Sequence, residues 1–229
     1  SLVRPDQTVR VSLDDLQARV AAIAGRFASQ EHATFIADKI VLAERMGVPT
    51  HGLHYFLEAL LPHLRTGNVN EAEIRSAGSV VLSNATGGVG FLQFHKCLMA
   101  AGDVARETGI AIAVMNKPGK VGALRVFCPE LIDRGQMVLM AKNPARTIGI
   151  PETGEPVHGT NPLCIGLPDT RFIYDSTIST VATNRIRLLG KYGQRAPPMI
   201  GLGPDMRPSD DPGGTLPSGG FLLPLRFRP

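Results

Sequence analysis

The spacing of the apolar residues changes near residue 74, and that change limits the folds open to this chain. Before this point they recur at three- and four-residue intervals, as on one face of an amphipathic helix. After it, short apolar runs of strand length alternate with helical segments as far as about residue 195. This order is typical of layered α/β proteins. We therefore predict an α/β fold with a helical N-terminal region at 1–72 and a mixed α/β sheet domain at 73–195.

The N-terminal region should contain three helices. Ser12 stands before two acidic residues, which is typical of a capped helix start. The helices are predicted at about 12–24, 29–46 and 53–64, the last interrupted by Pro62 because proline cannot donate its backbone nitrogen. Apolar runs predict strands at 74–82, 110–115, 137–141, 163–167 and 172–174, of which 110–115 and 137–141 should be buried. Further helices are predicted at 92–107, 123–134 and 178–189.

The last segment, residues 196–229, is dense in proline and glycine. It shows no helical periodicity, so we predict an irregular tail and expect it to be the least ordered region. The chain also ends without a recognisable final helix or strand, so we expect a fold that is incomplete at its C-terminus.

Composition excludes several classes of function. The net charge of +4 is scattered, and there is no tryptophan, so no basic surface with stacking aromatics is predicted and we expect no nucleic-acid partner. No apolar run reaches the length of a membrane span, so no membrane association is expected. The three cysteines are widely spaced and lie among apolar residues. They are typical of reduced core residues, which predicts a cytoplasmic protein without a disulfide framework or metal site.

A stiff turn at Gly47–Gly52 separates two predicted helices. Pro49 restricts the backbone of the residue before it, and the two flanking glycines permit unusual backbone angles. The turn presents His51, and histidine is the side chain best matched to proton transfer near neutral pH. The alternative is a helix–turn–helix corner whose histidine only caps or packs. His54 lies three residues on, but no third ligand at a suitable spacing supports a metal site.

Two glycine-containing loops follow predicted strands. The turn at 84–90 lacks the glycine spacing of a dinucleotide fingerprint, so it is interpreted as a plain turn, and no Rossmann site is predicted. The loop at 116–122 follows the next strand, where α/β folds place their chemistry. Lys120 in this loop could bind an anionic substrate group or act as an acid. The alternative is a solvated lysine on a turn.

Two polar segments lie further along the chain. Thr160 and Asn161 belong to a Gly-Thr-Asn-Pro sequence whose side chains and backbone could orient a ligand, or which could form an ordinary turn. Asp175, Ser176 and Thr177 stand between a predicted strand and a predicted helix. They could form a helix cap or a phosphate site at the helix N-terminus.

Taken together, these residues resemble the type-2 malate/L-lactate dehydrogenase family, whose members use NAD or NADP without a Rossmann fold. The family's Ser/Thr-His-Gly turn matches Thr50–Gly52, and its Gly-Thr-Asn-Pro sequence matches Gly159–Pro162 in full. Its Asp-Met-Ser-Thr-Ser segment loosely matches Asp175–Ser179. The resemblance covers nearly the whole chain.

The resemblance implies hydride transfer between NAD(P) and a small 2-hydroxy or 2-keto acid, as in malate or L-lactate oxidation, by a homodimer. His51 would be the catalytic proton donor, and Lys120 would take the place of a second family histidine. Thr160, Asn161, Asp175, Ser176 and Thr177 would lie on the cofactor side. His51, Lys120 and the Gly159–Pro162 loop are accordingly expected to share one cleft.

The chain also departs from the family pattern. Lysine replaces histidine at 120, and His54 and Tyr55 stand where the family has an arginine. Family members continue well beyond Leu225, through residues that contact the cofactor. These departures lead us to expect weak or no activity. They keep two alternatives open, namely a catalytically inactive remnant and a small protein that binds anions or metabolites without redox chemistry.

Overall fold

The chain divides into two units with separate internal contacts. The computed structural model describes residues 9–69, 72–85, 87–197, 200–216 and 219–224. The larger unit comprises Val11–Val138 and Gly166–Ile173. The smaller unit comprises the described residues of Ser1–Arg10, Leu139–Ile165 and Tyr174–Pro229. The three regions predicted from the sequence were defined by composition and periodicity rather than by contacts within the structure, so this division stays a prediction.

The larger unit begins with two capped helices, α1 (Leu13–Ala24) and α2 (Gln30–Arg45). The Ser12 hydroxyl accepts a hydrogen bond from the backbone N–H of Asp15 at 3.0 Å, and Ser29 caps α2 in the same way. These caps satisfy N–H groups that have no partner within the helix. The first two predicted helices are therefore confirmed.

The third predicted helix forms, but Pro62 does not interrupt it. It consists of α3 (Leu53–Tyr55), a π-helical turn at Phe56–Leu60 and α4 (Leu61–Leu64). Pro62 lies in the first turn of α4, where it removes no hydrogen bond that α4 itself requires. The wider π turn just before it accommodates the change in hydrogen bonding.

A three-stranded sheet follows, with the order β1 (Glu73–Ala77), β2 (Val80–Asn84) and β3 (Ile112–Asn116). The single strand predicted at 74–82 is wrong, because Gly78, with φ of +55°, turns the chain into an antiparallel hairpin. Helix α5 (Gly90–Thr108) connects β2 to the parallel strand β3. The carboxyl ends of β2 and β3 therefore lie side by side.

Strand β3 is not buried, contrary to the sequence-based prediction. Ile112 is 61% exposed and Val114 is 53% exposed. On the neighbouring strand, Val81 is fully buried and packs with Cys97 and Ala101 of α5. The helix covers only one side of the sheet, so the apolar residues on the other side remain at the surface.

The chain then forms α6 (Cys128–Asp133) and β4 (Val138–Ala141). A second three-stranded sheet has the order β4, β7 (Leu163–Leu167), β8 (Phe172–Ser176). Met140 on β4 is buried, whereas Leu139 is 61% exposed, so the prediction of a buried strand holds for one side only. The strands that follow β4 are β5 (Ile148–Gly149), β6 (Pro156–His158), β7 (Leu163–Leu167) and β8 (Phe172–Ser176).

The smaller unit contains structure where an irregular tail was predicted. After α7 (Thr183–Lys191) come β9 (Gly201–Leu202), β10 (Pro208–Ser209), α8 (Pro212–Thr215) and β11 (Phe221–Leu222). Strands β10, β9, β11, β5 and β6 form one sheet in that order. Ile200 and Leu222 are buried in a core with Ile148 and Ile186. Within the described ranges, no helix has both the length and the apolar character that crossing a membrane requires.

Candidate active site

His51 ends a short 3₁₀ turn, Pro49–His51, immediately after α2. The Thr50 hydroxyl oxygen lies 3.1 Å from His51 Nδ1, and Thr50 is buried. This hydrogen bond restricts rotation of the imidazole, whichever atom donates. When His51 is the imidazolium, both ring nitrogens carry protons, so Nδ1–H donates to the Thr50 hydroxyl oxygen and the Nε2 proton can be delivered to a substrate.

The glycine after His51 is required by a close approach of α2. A Cβ at Gly52 would lie 2.1 Å from Glu44 Oε1. That oxygen accepts a hydrogen bond from the backbone N–H of Leu53 at 2.7 Å, so the Glu44 carboxylate caps the next helix. The Thr-His-Gly turn is thus held from both sides by α2 and α3.

Tyr55 connects the His51 turn to the Lys120 loop. Its buried ring lies 6.1 Å from the His51 ring, measured between centroids. Its hydroxyl donates a hydrogen bond to the Lys120 carbonyl oxygen at 2.8 Å. Burial raises the pKa of Tyr55, which keeps this group a neutral donor. The structure therefore brings the two predicted catalytic residues, His51 and Lys120, to one tyrosine, although residue Lys120 itself is exposed.

The glycine turn after β2 supports the Lys120 loop by backbone packing. A Cβ at Gly90 would lie 2.5 Å from the carbonyl carbon of Gly119, and a Cβ at Gly119 would lie 2.7 Å from the Gly88 oxygen. Both positions thus exclude any side chain. The interpretation of residues 84–90 as a plain turn rather than a dinucleotide fingerprint stays a prediction.

The Gly-Thr-Asn-Pro loop lies in the smaller unit. A Cβ at Gly159 would lie 2.3 Å from the Pro144 oxygen, so this loop packs closely against the segment after β4. Asn161 has a φ of +36°, a conformation that asparagine tolerates better than most residues. Its buried Oδ1 has no hydrogen-bond donor among the described residues. A buried acceptor without a partner is costly, which makes it a candidate contact for a ligand.

Asp175, Ser176 and Thr177 lie at the end of β8, next to this loop, because the N–H of Ile178 donates to the Thr160 carbonyl oxygen at 3.0 Å. They do not open a helix, since α7 begins only at Thr183. The predicted cap or phosphate site at a helix N-terminus is therefore wrong. The Thr177 hydroxyl contacts Ser179, and the Ser176 hydroxyl donates to the Thr177 carbonyl oxygen.

The sequence-based reasoning missed Lys142, which follows the last residue of β4. Its N–H donates to the Pro162 carbonyl oxygen at 3.4 Å. Burial lowers the pKa of Lys142 to about 8, partly opposed by the charge of Asp175. The alternation of side chains along β4 could have indicated Lys142, because this residue lies two positions after the buried Met140 and therefore on the same side of the strand.

The five predicted cofactor-side residues are thus neighbours within the smaller unit, and the two predicted catalytic residues are neighbours within the larger one. That His51 and Thr160 share a cleft stays a prediction. Among the residues that the structure describes, no group of three or more His, Cys, Asp or Glu side chains could hold a metal ion.

Comparison with known proteins identifies the family. The family model for malate/L-lactate dehydrogenases matches residues 11–226. The chain is 30% identical over 224 residues to a protein of Burkholderia multivorans named Δ1-pyrroline-2-carboxylate reductase 2, with 94% of this chain and 65% of the relative covered. It is 29% identical over 212 residues to the (2R)-3-sulfolactate dehydrogenase (NADP+) of Chromohalobacter salexigens, covering 90% of this chain and 62% of the relative. The chain thus spans less than two thirds of the length of these relatives.

Solved structures show the same fold. The malate dehydrogenase of Entamoeba histolytica superposes with a TM-score of 0.86 at 22% identity, covering 95% of this chain and 64% of that one. The Δ1-piperideine-2-carboxylate reductase of Pseudomonas syringae pv. tomato superposes with a TM-score of 0.82 at 24% identity, covering 96% of this chain and 68% of that one. The predicted α/β fold and its relation to this family are therefore confirmed. The chain belongs to the malate/L-lactate dehydrogenase family, whose members use NAD or NADP.

Proposed function

We propose that this chain is an NAD(P)-dependent oxidoreductase that acts on a small carboxylic acid with a C=O or C=N bond next to the carboxylate. Membership of the family supports the reaction class. The observation that carries the proposal is the contact between the Thr50 hydroxyl and His51 Nδ1, because it orients an imidazole for proton transfer.

In the proposed reduction, the carbon of the double bond gains a hydride and its oxygen or nitrogen gains a proton. NAD(P)H, when bound, supplies the hydride. His51 acts as the imidazolium: it delivers the Nε2 proton, becomes the neutral imidazole and regains a proton from solvent. Tyr55 holds the Lys120 loop close to this turn through the Lys120 carbonyl oxygen, and the Lys120 ammonium attracts the substrate carboxylate. The same groups work in reverse when a hydroxy acid is oxidised.

The residues of the smaller unit fit a nicotinamide cofactor. Asn161 offers a buried acceptor for which the described residues provide no donor, and an amide or ribose hydroxyl of the cofactor could supply it. Asp175 adds a carboxylate beside the same loop. The Ser176 and Thr177 hydroxyls already make local contacts, so we assign them to shaping the turn through which the cofactor is held. A homodimer remains a prediction from the resemblance, and a cytoplasmic location remains a prediction from the spacing and surroundings of the cysteines.

The relatives broaden the substrate class beyond the 2-hydroxy and 2-keto acids expected from the sequence. Their names include reductases of cyclic imino acids as well as dehydrogenases of sulfolactate and malate. Reduction of a C=N bond and reduction of a C=O bond next to a carboxylate require the same three contributions from an enzyme. The carbon must receive a hydride, the nitrogen or oxygen must receive a proton, and the carboxylate must be bound. We therefore propose that cyclic imino acids are substrates alongside 2-keto acids.

The test is to measure NADPH and NADH oxidation by the purified chain with Δ1-pyrroline-2-carboxylate, pyruvate, oxaloacetate and sulfopyruvate. His51→Asn should lower kcat by about 100-fold or more, because the proton donor is lost. His32→Asn, on α2, serves as the matched control and should keep wild-type rates. Turnover that is unaffected by His51→Asn, or an absence of turnover together with an absence of nicotinamide nucleotide binding, would contradict the proposal.

A further inference from the structure

Three chain segments of the smaller unit meet at one end of the β4–β7–β8 sheet. This end, where β4 and β8 finish and β7 begins, is called the edge below. The N–H of Lys142, just after β4, donates to the carbonyl oxygen of Pro162, just before β7. The N–H of Ile178, just after β8, donates to the carbonyl oxygen of Thr160. The edge therefore combines one lysine, the Thr160–Asn161 loop and the aspartate at the end of β8.

Lys142 is directed to the covered side of this edge. Strand side chains alternate between the two sides, and Met140, two residues earlier, is buried whereas Leu139 is exposed. Lys142 itself is half-buried. Partial burial of an ammonium group costs desolvation free energy unless a negative charge offsets it.

Asp175 supplies that negative charge. Its charge favours the ammonium form of Lys142, and burial disfavours it. Both groups lie at the edge that is proposed to bind the cofactor. An uncompensated carboxylate there would repel the phosphates of a dinucleotide.

We propose that Lys142 is a positioning residue, which neutralises and orients the Asp175 carboxylate so that this edge can bind an anionic nicotinamide dinucleotide. This inference rests on the proposed function. Lys142 acts through Asp175, and it does not contact the 2′-phosphate that distinguishes NADP from NAD.

The experiment measures the affinity of the full chain for NADPH and for NADH by nucleotide fluorescence, in the absence of substrate. Lys142→Met should weaken the binding of both nucleotides by about tenfold, because Asp175 then repels them. Lys142→Met/Asp175→Asn should recover affinity relative to Lys142→Met alone, since the repelling charge is removed. Lys142→Arg should retain most of the affinity, and Lys191→Met in α7 is the matched control for loss of one positive charge.

Each other outcome overturns the inference. Wild-type affinity in Lys142→Met shows that Lys142 has no role in binding. A loss confined to NADPH, or a loss that Asp175→Asn does not relieve, shows direct contact with the ligand. A lower melting temperature of Lys142→Met with unchanged affinity shows a purely structural role. If the wild type binds neither nucleotide, the proposed function fails as well, which distinguishes that result from the first three.

Discussion

At the scale of single residues, Glu130 joins parts of the chain that are far apart in sequence. Its carboxylate accepts hydrogen bonds from Lys39 Nζ at 2.7 Å and from His95 Nε2 at 2.8 Å. Lys39 is almost fully buried and lies 5.4 Å from the centre of the Phe35 ring, which also stacks on His95. A buried ammonium needs such compensation, so Glu130 is required by the position of Lys39.

Glu130→Gln should therefore lower the free energy of unfolding by about 2–4 kcal/mol at pH 7, because Lys39 loses its counterion. Chemical denaturation at pH 7 measures this change. Glu107→Gln, at an exposed position on α5, is the control and should change the stability by less than about 0.5 kcal/mol. Equal stability of the Glu130→Gln variant and the wild type would mean that Lys39 finds another partner.

The same network predicts a dependence on pH. Burial alone would raise the pKa of Glu130, but the hydrogen bonds and charges of His95 and Lys39 outweigh it and lower the pKa to about 2. Since the folded-state pKa lies below the unfolded value, the stabilisation is present above about pH 4.5 and is lost as the pH falls towards 2. It should amount to about 1–2 kcal/mol after allowance for partial exposure.

Unfolding titrations between pH 6 and pH 2 test this prediction. The stability difference between the wild type and Glu130→Gln should shrink as the pH falls through this range. A difference that stays constant down to pH 2 would show that the Glu130 charge is not what stabilises the fold.

At the scale of elements, the β1–β2–β3 sheet is covered on one side only. Its exposed side carries branched aliphatic residues, including Leu82, Ile112 and Val114. An apolar surface of this kind is unusual for an isolated soluble domain. The composition of a strand therefore does not by itself indicate whether the strand is buried.

This difference between the two sides can be measured by paired substitutions. Ile112→Thr together with Val114→Thr should change the free energy of unfolding by less than about 1 kcal/mol, because neither side chain is buried in the chain. Val81→Thr, on the covered side, should cost about 1–3 kcal/mol, because it places a hydroxyl against α5. Chemical denaturation of both variants decides, and a larger cost for the exposed pair would show that the open side is covered in solution.

At the scale of the whole molecule, the proline- and glycine-rich segment contributes to a core. Leu222 is fully buried, its N–H donates to the Thr147 carbonyl oxygen at 2.8 Å, and it pairs with Ile148 in the neighbouring parallel strand. The described part of this segment is therefore held to the sheet by hydrogen bonds and by apolar packing.

Leu222→Ala should lower the free energy of unfolding by about 2–4 kcal/mol, since it leaves a cavity among Ile148, Ile186 and Ile200. Met206→Ala, at an exposed turn position, is the control and should be nearly neutral. Amide exchange gives a second measurement, because the Leu222 amide should be protected. Rapid exchange at Leu222, with no loss of stability in Leu222→Ala, would restore the prediction of a poorly ordered tail.

The sequence by itself determined the features that depend on neighbouring residues. The serine caps of α1 and α2, the Thr-His-Gly turn and the Gly-Thr-Asn-Pro loop all follow from residues within about four positions of one another. They were enough to predict the helices before residue 65, the fold class and the family. The local pattern around His51 left a packing role and a proton-transfer role open, and the catalytic role came from the family resemblance and stays a prediction. The position of His51 beside Tyr55 was not predicted.

Only the tertiary structure decided which side of each strand is covered, how the described part of the tail packs, and that Lys142 and Asp175 lie at the same end of one sheet. The partners of Glu130 lie 91 and 35 residues away in the sequence. Burial and ion pairing depend on which distant segments meet, and that is set by the packing of the whole chain. The spacing of residues indicates which side of its own helix or strand a side chain faces. The atoms that the side chain then contacts belong to other helices and strands.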